Sequence, residues 1–251
     1  RILDAEARQQ DLALVGLTVT VRIAKEDDVV AVLDDRAILV RQDALGNGQA
    51  IGEGARAELF VTNAGGDYTR VEVEVRLAKG AHFEFGGVTI GGAGVTREFV
   101  TQVVHAEPEA TSNQTVRAVH WAGATGNFLG EIKVARHAQK TDAAQDFKGL
   151  LLEAGASANA VPQLEIFADD VKCAHGATVG QLDATALFYL RTRGVPEAEA
   201  LALLTRAFYT EALAIIDDET LRETLKAFLP ARLVQEVGMS TIAWQAVRHD
   251  F

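Results

Sequence analysis

The sequence has one cysteine, one methionine, four prolines and 6% aromatic residues in 251 positions. Each scarcity excludes something. One thiol permits no internal disulfide, no cysteine-rich zinc module and no four-thiolate iron–sulfur site built from this chain alone. Basic residues are also in deficit, 24 Lys and Arg against 35 Asp and Glu, for a formal charge of −11. Binding a polyanion relies on neutralising its phosphates, so this balance argues against nucleic acid as the main partner. No apolar run reaches the roughly 18 residues of a membrane span. The start, Arg1 to Arg8, mixes arginines with acidic residues instead of forming an apolar signal core. The expectation is a soluble, cytoplasmic chain with no membrane contact. Because it begins at Arg1 and not at Met, its numbering is read as starting inside a longer natural sequence.

Enough apolar residues are present for a substantial core. A hydrophobic share of 48% with 24% charged residues excludes a low-complexity or disordered chain. From about Leu12 to Val179 the dominant period is two. Leu17 to Ile23 and Val71 to Leu77 alternate apolar with polar residues, as a half-buried strand requires. Further strands are expected at Glu58 to Thr62, His82 to Phe85, Phe99 to Val104, Thr115 to Trp121, Phe128 to Val134 and Gln163 to Phe167. Gly-rich breaks separate them, at Gly65-Gly66, Gly86-Gly87, Gly91-Gly92 with Gly94, and Gly123 with Gly126. A sandwich, a barrel and a β-solenoid all fit this pattern. Small residues running through the connections, and too few aromatics to fill a wide sandwich, favour the solenoid.

At Gly180 the period changes. Asp183 suits a helix N-cap, Leu187, Tyr189 and Leu190 follow, and Gly194 suits a stop. Pro196 suits the first turn of a second helix with Leu201, Leu204, Phe208, Ala212 and Ile215 on one face. Asp217 and Asp218 would cap a third, carrying Leu221, Leu225 and Phe228 until Pro230, and one more short helix would run to Gly238. The expected organisation is a β core over residues 1–182, a helical subdomain over 183–238, and a tail of unassigned structure over 239–251.

Motifs are sparse. There is no GxxxxGK[ST] phosphate loop, no GxSxG elbow and no HExxH. Gly52 to Ala57 matches GxGxxA, yet a strand-like segment follows where a dinucleotide site needs a helix N-terminus. The informative segment is Ala168 to Gly180. If it is extended, Cys173 and His175 project to one side, because strand side chains alternate. A thiol and an imidazole so placed can be two ligands of a soft metal centre, or a nucleophile beside a base; the plainer alternative is a structural cysteine beside a surface histidine. His105, His120 and His137 lie in or beside the β body and are expected to be structural or superficial, while His82 and His249 have no local company. The acidic runs Glu26-Asp27-Asp28 and Asp217-Asp218-Glu219 are expected to be solvated turns and caps.

The run from Pro162 through Asp169-Asp170-Val171-Lys172-Cys173-Ala174-His175-Gly176 to Asp183, followed by Leu187-Phe188-Tyr189-Leu190-Arg191-Thr192-Arg193-Gly194, closely resembles the signature of the SufB/SufD family. Ala138 to Ala143 and His105 to Pro108, with Thr111 and Ser112, resemble its upstream motifs. The likeness covers roughly residues 100 to 230, and the single cysteine sets the chain nearer the SufD branch than the cysteine-richer SufB branch. The resemblance implies a right-handed parallel β-helix followed by a helical subdomain. It further implies a non-catalytic scaffold subunit of the SUF iron–sulfur cluster assembly machine, paired with a SufB-like paralogue through the β-helix and with a SufC-like ATPase through the helices. His175, and after it Cys173, match positions at the paralogue interface where a nascent iron–sulfur cluster forms, so any cluster would be transient and shared with the partner, with no cofactor held by this chain alone. A homodimer is left open to the isolated chain. Two other readings stand beside this one, a structural adaptor for the ATPase that gives no ligand and a hydrolase using Cys173 and His175. Family members often have a helical N-terminal region, so either this chain is truncated or that part is reduced.

Overall fold

The computed structural model describes residues 51–64 and 67–214, the single positions 219, 222, 223 and 226, and the backbone of four strands before residue 34. Those four are β1 (Ile2–Leu3), β2 (Gln10–Leu14), β3 (Leu17–Ile23) and β4 (Val29–Leu33). Nine longer strands follow: β5 (Arg56–Asn63), β6 (Tyr68–Leu77), β7 (His82–Gly91), β8 (Thr96–His105), β9 (Thr111–His120), β10 (Thr125–Val134), β11 (Asp142–Leu151), β12 (Ser157–Ile166) and β13 (Lys172–Gly180). Two helices close the described chain, α1 (Ala184–Thr192) and α2 (Glu197–Leu213). No helix among the described residues is long and apolar enough to cross a membrane.

Odd-numbered strands from β5 onward stack in one sheet, in the order β1-β4-β5-β7-β9-β11-β13, and even-numbered ones in the other, in the order β12-β10-β8-β6-β3-β2. Each strand from β7 onward pairs in parallel with the strand two before it, so the chain winds as a β-solenoid of about four turns. The small set of architectures open to the sequence is thereby resolved in favour of the solenoid. The pairs β1/β4, β2/β3, β3/β6 and β4/β5 are antiparallel. Among the described strands parallel pairing begins with β5 at Arg56, after an isolated parallel bridge between Ile51 and Leu77.

Alternation puts one face of each strand inside. Val71, Phe99 and Phe128 form one inward column, and Val116 and Phe147 belong to another on the facing sheet. Phe85 meets Phe99 edge to face at 5.6 Å, and Phe128 stacks on Phe147 at 5.6 Å between centroids. The narrow interior takes five phenylalanines, Phe83, Phe85, Phe99, Phe128 and Phe147, while Phe60, Trp121 and Tyr209 belong to the second core under α2. Elsewhere the space admits no side chain: a Cβ on Gly126 would lie 2.2 Å from the His120 ring, and one on Gly92 would lie 2.2 Å from the Trp121 indole.

Two strands differ from their sequence expectation for physical reasons. β7 runs to Gly91, past the expected end at Phe85, and is buried on both faces because α2 covers the outer side of its second half. With no wet face there is no polar alternation to see. β11 had no expected strand, because its inward residues Ala143, Gln145, Phe147 and Gly149 are mostly small or polar and blur the pattern.

Asp183 caps α1 as expected, accepting a hydrogen bond from the Thr185 amide at 2.8 Å, and Gly194 takes φ +89° at its end. Pro196 is the N-cap of α2. The buried face of α2 is Ala202, Thr205, Tyr209, Ala212 and Leu213, with Leu201, Leu204 and Phe208 only half-buried, so the expected face is rotated. Small residues allow the helix axis to sit close to the sheet, where Phe60, Val88, Ile90 and Val119 supply the bulk. Positions 219, 222, 223 and 226 are helical. The expected caps at Asp217 and Asp218, the face Leu221, Leu225 and Phe228, the helix to Gly238, the tail, and the turn at Glu26 to Asp28 lie outside the described residues. Truncating Phe128 to Ala removes a fully buried ring from the interior stack and should lower the unfolding free energy by about 3–5 kcal/mol, read as a shift in the urea midpoint.

Candidate functional site at the open end of the solenoid

β12 and β13 are the last strands of their sheets, so each presents a free edge among the described strands. In a stack of coils every rung but the last is covered by the next. The inward residues of the last rung therefore stay accessible. On β13 they are Cys173, His175, Ala177 and Val179, standing over Ala143, Gln145, Phe147 and Gly149 of β11 in register. On β12 they are Ala158, Ala160, Pro162 and Leu164. Val161, Phe167 and Val179 add exposed apolar surface around this lip.

The two residues singled out by their spacing thus share one face, as alternation requires. Cys173 is half-buried against Ile132, Val134, Ala143, Ala168 and the neighbouring Leu164 and Val171, whereas His175 is exposed. Burial, seconded by the Asp142 carboxylate, pushes the Cys173 thiol up. A nucleophilic cysteine needs the opposite, a depressed pKa. No hydrogen bond joins Cys173 to His175, and no group of three or more His, Cys, Asp and Glu residues that could hold a metal ion occurs among the described residues. The chemistry on offer is one soft sulfur donor and one imidazole at an open edge, two donors of an incomplete set.

The other histidines separate clearly. His105 and His120 are buried, with Nε2 within 2.9 Å of the Ser112 hydroxyl and 3.0 Å of the Thr89 hydroxyl respectively. Burial pushes both down to about 4. His137 is exposed in a turn, 3.6 Å from Glu107. His82 does have company, against expectation: its Nδ1 is 2.7 Å from Thr111 Oγ1 and its Nε2 3.1 Å from Glu84, all on one outer sheet face. Glu84 is a local neighbour on the same strand, whereas Thr111 is invisible in sequence because it arrives from the next coil. His249 lies outside the described residues.

Sequence reasoning also missed a polar tie between sheet and helix. Arg117 of β9, 1% exposed, donates to Asp146 of β11 at 2.6 Å and to Glu211 of α2 at 2.9 Å. Lys148 reaches the same Glu211 at 3.2 Å. Burial pushes the Glu211 carboxyl up, but hydrogen bonds from Arg117 and Lys148 outweigh it and hold the group below its ordinary range. α1, in contrast, buries nothing and exposes Phe188 and Tyr189, the latter under the Arg193 guanidinium at 4.6 Å from the ring centre.

Comparison with known proteins now becomes informative. Residues 44–208 match the family model described as "SUF system FeS cluster assembly, SufBD core domain", which takes in the coils, the lip and most of α2. The chain belongs to the SufB/SufD family. It is similar to the iron–sulfur cluster assembly protein SufD of Escherichia coli, 44% identical over 106 residues, which is 42% of this chain and 25% of that protein. An iron–sulfur cluster assembly SufBD family protein of Synechocystis is 32% identical over 186 residues, 74% of this chain and 41% of the relative. One from Mycobacterium bovis is 32% identical over 200 residues, 76% of this chain and 50% of the relative. The chain thus spans a quarter to a half of the length of these SufBD relatives.

Two buried neutral histidines and one depressed carboxylate act in the same direction on acidification. Between about pH 6.5 and 4 the unfolded chain binds protons at His105 and His120 that the folded chain refuses, so stability falls as the pH drops through that window, by up to roughly 3 kcal/mol per histidine. Below it the Glu211 contribution is lost as well, since a depressed carboxylate stabilises above its unfolded pKa and ceases to do so as pH falls through its folded one. Urea midpoints measured across this range should decline, and replacing either buried histidine by Gln should flatten the upper part of the curve.

Proposed function

We propose that this chain is a SufD-like, non-enzymatic scaffold subunit of a cytoplasmic SUF iron–sulfur cluster assembly complex. The observation that carries the reading is the open end of the solenoid, where two free strand edges, an apolar rim, Cys173 and His175 coincide. A paralogous SufB-like solenoid would present edges of the same pitch, and backbone pairing across such edges is an established mode of β-augmentation. The nascent cluster is the cargo of this site and not a resident cofactor. Cys173 and His175 fit it in donor type and fall short of it in number, so the partner completes the coordination.

The helices would carry the SufC-like ATPase, with the exposed Phe188 and Tyr189 of α1 as its anchor, and ATP hydrolysis would belong to that partner. Movement on nucleotide binding would reach the solenoid through α2, which is tied to β9 and β11 by Arg117, Asp146 and Glu211. The raised Cys173 pKa speaks against the hydrolase reading. The structural-adaptor reading shares every partner contact and differs only in giving no ligand.

Co-production with SufB-like and SufC-like partners, purification, and anaerobic cluster assembly test this directly. With His175→Ala, and separately Cys173→Ser, the three-component complex should form as before while iron and acid-labile sulfide per complex fall several-fold. Unchanged iron in both variants would leave the adaptor as the correct reading. Phe188→Asp should release the ATPase and keep the paralogue, measured as the composition of the affinity-purified complex; loss of the paralogue instead would move the two docking surfaces.

A further inference from the structure

We propose that Gln145 is a positioning residue for His175, accepting a hydrogen bond from one ring N–H so that the other nitrogen faces out of the open end with its lone pair free. The proposal rests on the reading of His175 as a ligand, which it deepens. Gln145 stands directly beneath His175: the two are register partners on β11 and β13, on the inward face of both strands. Its side chain crosses the solenoid interior, where Nε2 donates to the Gly130 carbonyl at 3.4 Å and to the Gln163 carbonyl at 3.3 Å. Facing two carbonyls, that end of the amide must be the nitrogen, which settles the orientation of the other end. Oε1 is an acceptor, it belongs to a residue only 2% exposed, and it has no partner. The interior is shaped to hold it, since a Cβ on Gly130 would come within 2.2 Å of Oε1.

A buried acceptor without a donor is costly and calls for an explanation. Two donors come from adjacent rungs. Below lies Gln114, whose Nε2 is also without a partner. Gln114 is fully buried, its own Oε1 accepts from the Thr101 hydroxyl at 2.6 Å, and no hydrogen bond joins its Nε2 to Gln145 Oε1. Above lies His175, exposed and without a hydrogen bond among the described residues, and therefore free to change rotamer. Turned inward, the ring would present an N–H toward Oε1. The two ring nitrogens of a ligating histidine divide their work in this way: a hydrogen bond at one fixes the tautomer and orientation and leaves the other to bind.

The test uses the full chain labelled with 15N-histidine, with long-range 1H–15N spectra recorded where the imidazoles are neutral and the His175 signals identified by their loss in His175→Ala. Wild type should show His175 in one tautomer, Gln145→Leu should show a mixture of both, and Gln145→Glu, which restores an acceptor of the same reach, should return the single form. A mixture in wild type, or the same single tautomer in wild type and Gln145→Leu, would overturn the proposal. Gln114→Leu serves as the control for the rung below and should leave His175 unchanged; if it shifts the tautomer as Gln145→Leu does, the acceptor belongs to Gln114 and the proposal fails. In the assembled complex, Gln145→Leu should lower iron retention about tenfold or more. Failure of the ligand reading is seen separately, as unchanged iron in His175→Ala with the wild-type tautomer still single.

Discussion

In-register parallel stacking governs this molecule. Because every coil lies directly over the one before, a residue's neighbours on its own face are fixed about thirty positions away in each direction. That single constraint produces the columns of the interior, the hydrogen-bonded ladders on the outside such as Tyr68, Glu98, Asn127 and Asn159, and the unequal condition of the final coil. Val71, Phe99 and Phe128 are buried because something stands above each of them; His175 is exposed because nothing among the described residues does. The candidate site is a consequence of where the winding stops.

The outer face of the odd-numbered sheet breaks the symmetry of the solenoid. Helix α2 closes it over Phe60, Val88, Ile90 and Val119, and the cover is a second core shared by helix and sheet. Beside that apolar contact lies the charged group of buried Arg117 with the partly exposed Asp146, Glu211 and Lys148. A buried guanidinium is tolerated only when paired, and here the pairing recruits one carboxylate from each of the two elements that must stay together. The backs of the two sites meet on β11, where Asp146 pairs with the Arg117 that holds the helix and its chain neighbour Gln145 faces the interior below His175.

Much of this was legible in the sequence, for reasons that can be named. Strands with one wet and one dry face announce themselves by alternation, as at Val71 to Leu77, and the cap at Asp183 and the stop at Gly194 are local chemistry. Cys173 and His175 stood out because a thiol and an imidazole two residues apart on a strand share a face. What the sequence concealed involves groups brought together by the winding or by the helix: the company of His82, the pairing of Arg117 with a carboxylate on α2, the vacant acceptor on Gln145. β11 and the second half of β7 escaped because their environments erase the alternation, in one case by small inward residues and in the other by the helix on top. The rotated face of α2 has a related cause, since the helix approaches the sheet through its alanines and leaves its leucines at the side.

The free edges of β12 and β13 bear on how the protein is made. Unpaired strand edges with an apolar rim are templates for further strands, and natural sheets usually blunt them. Among the described residues these edges are unpaired, so a chain with nothing to cap them is open to self-association. Under the proposed pairing, production in step with a capping partner would limit that exposure, a demand set by geometry at one end of a solenoid.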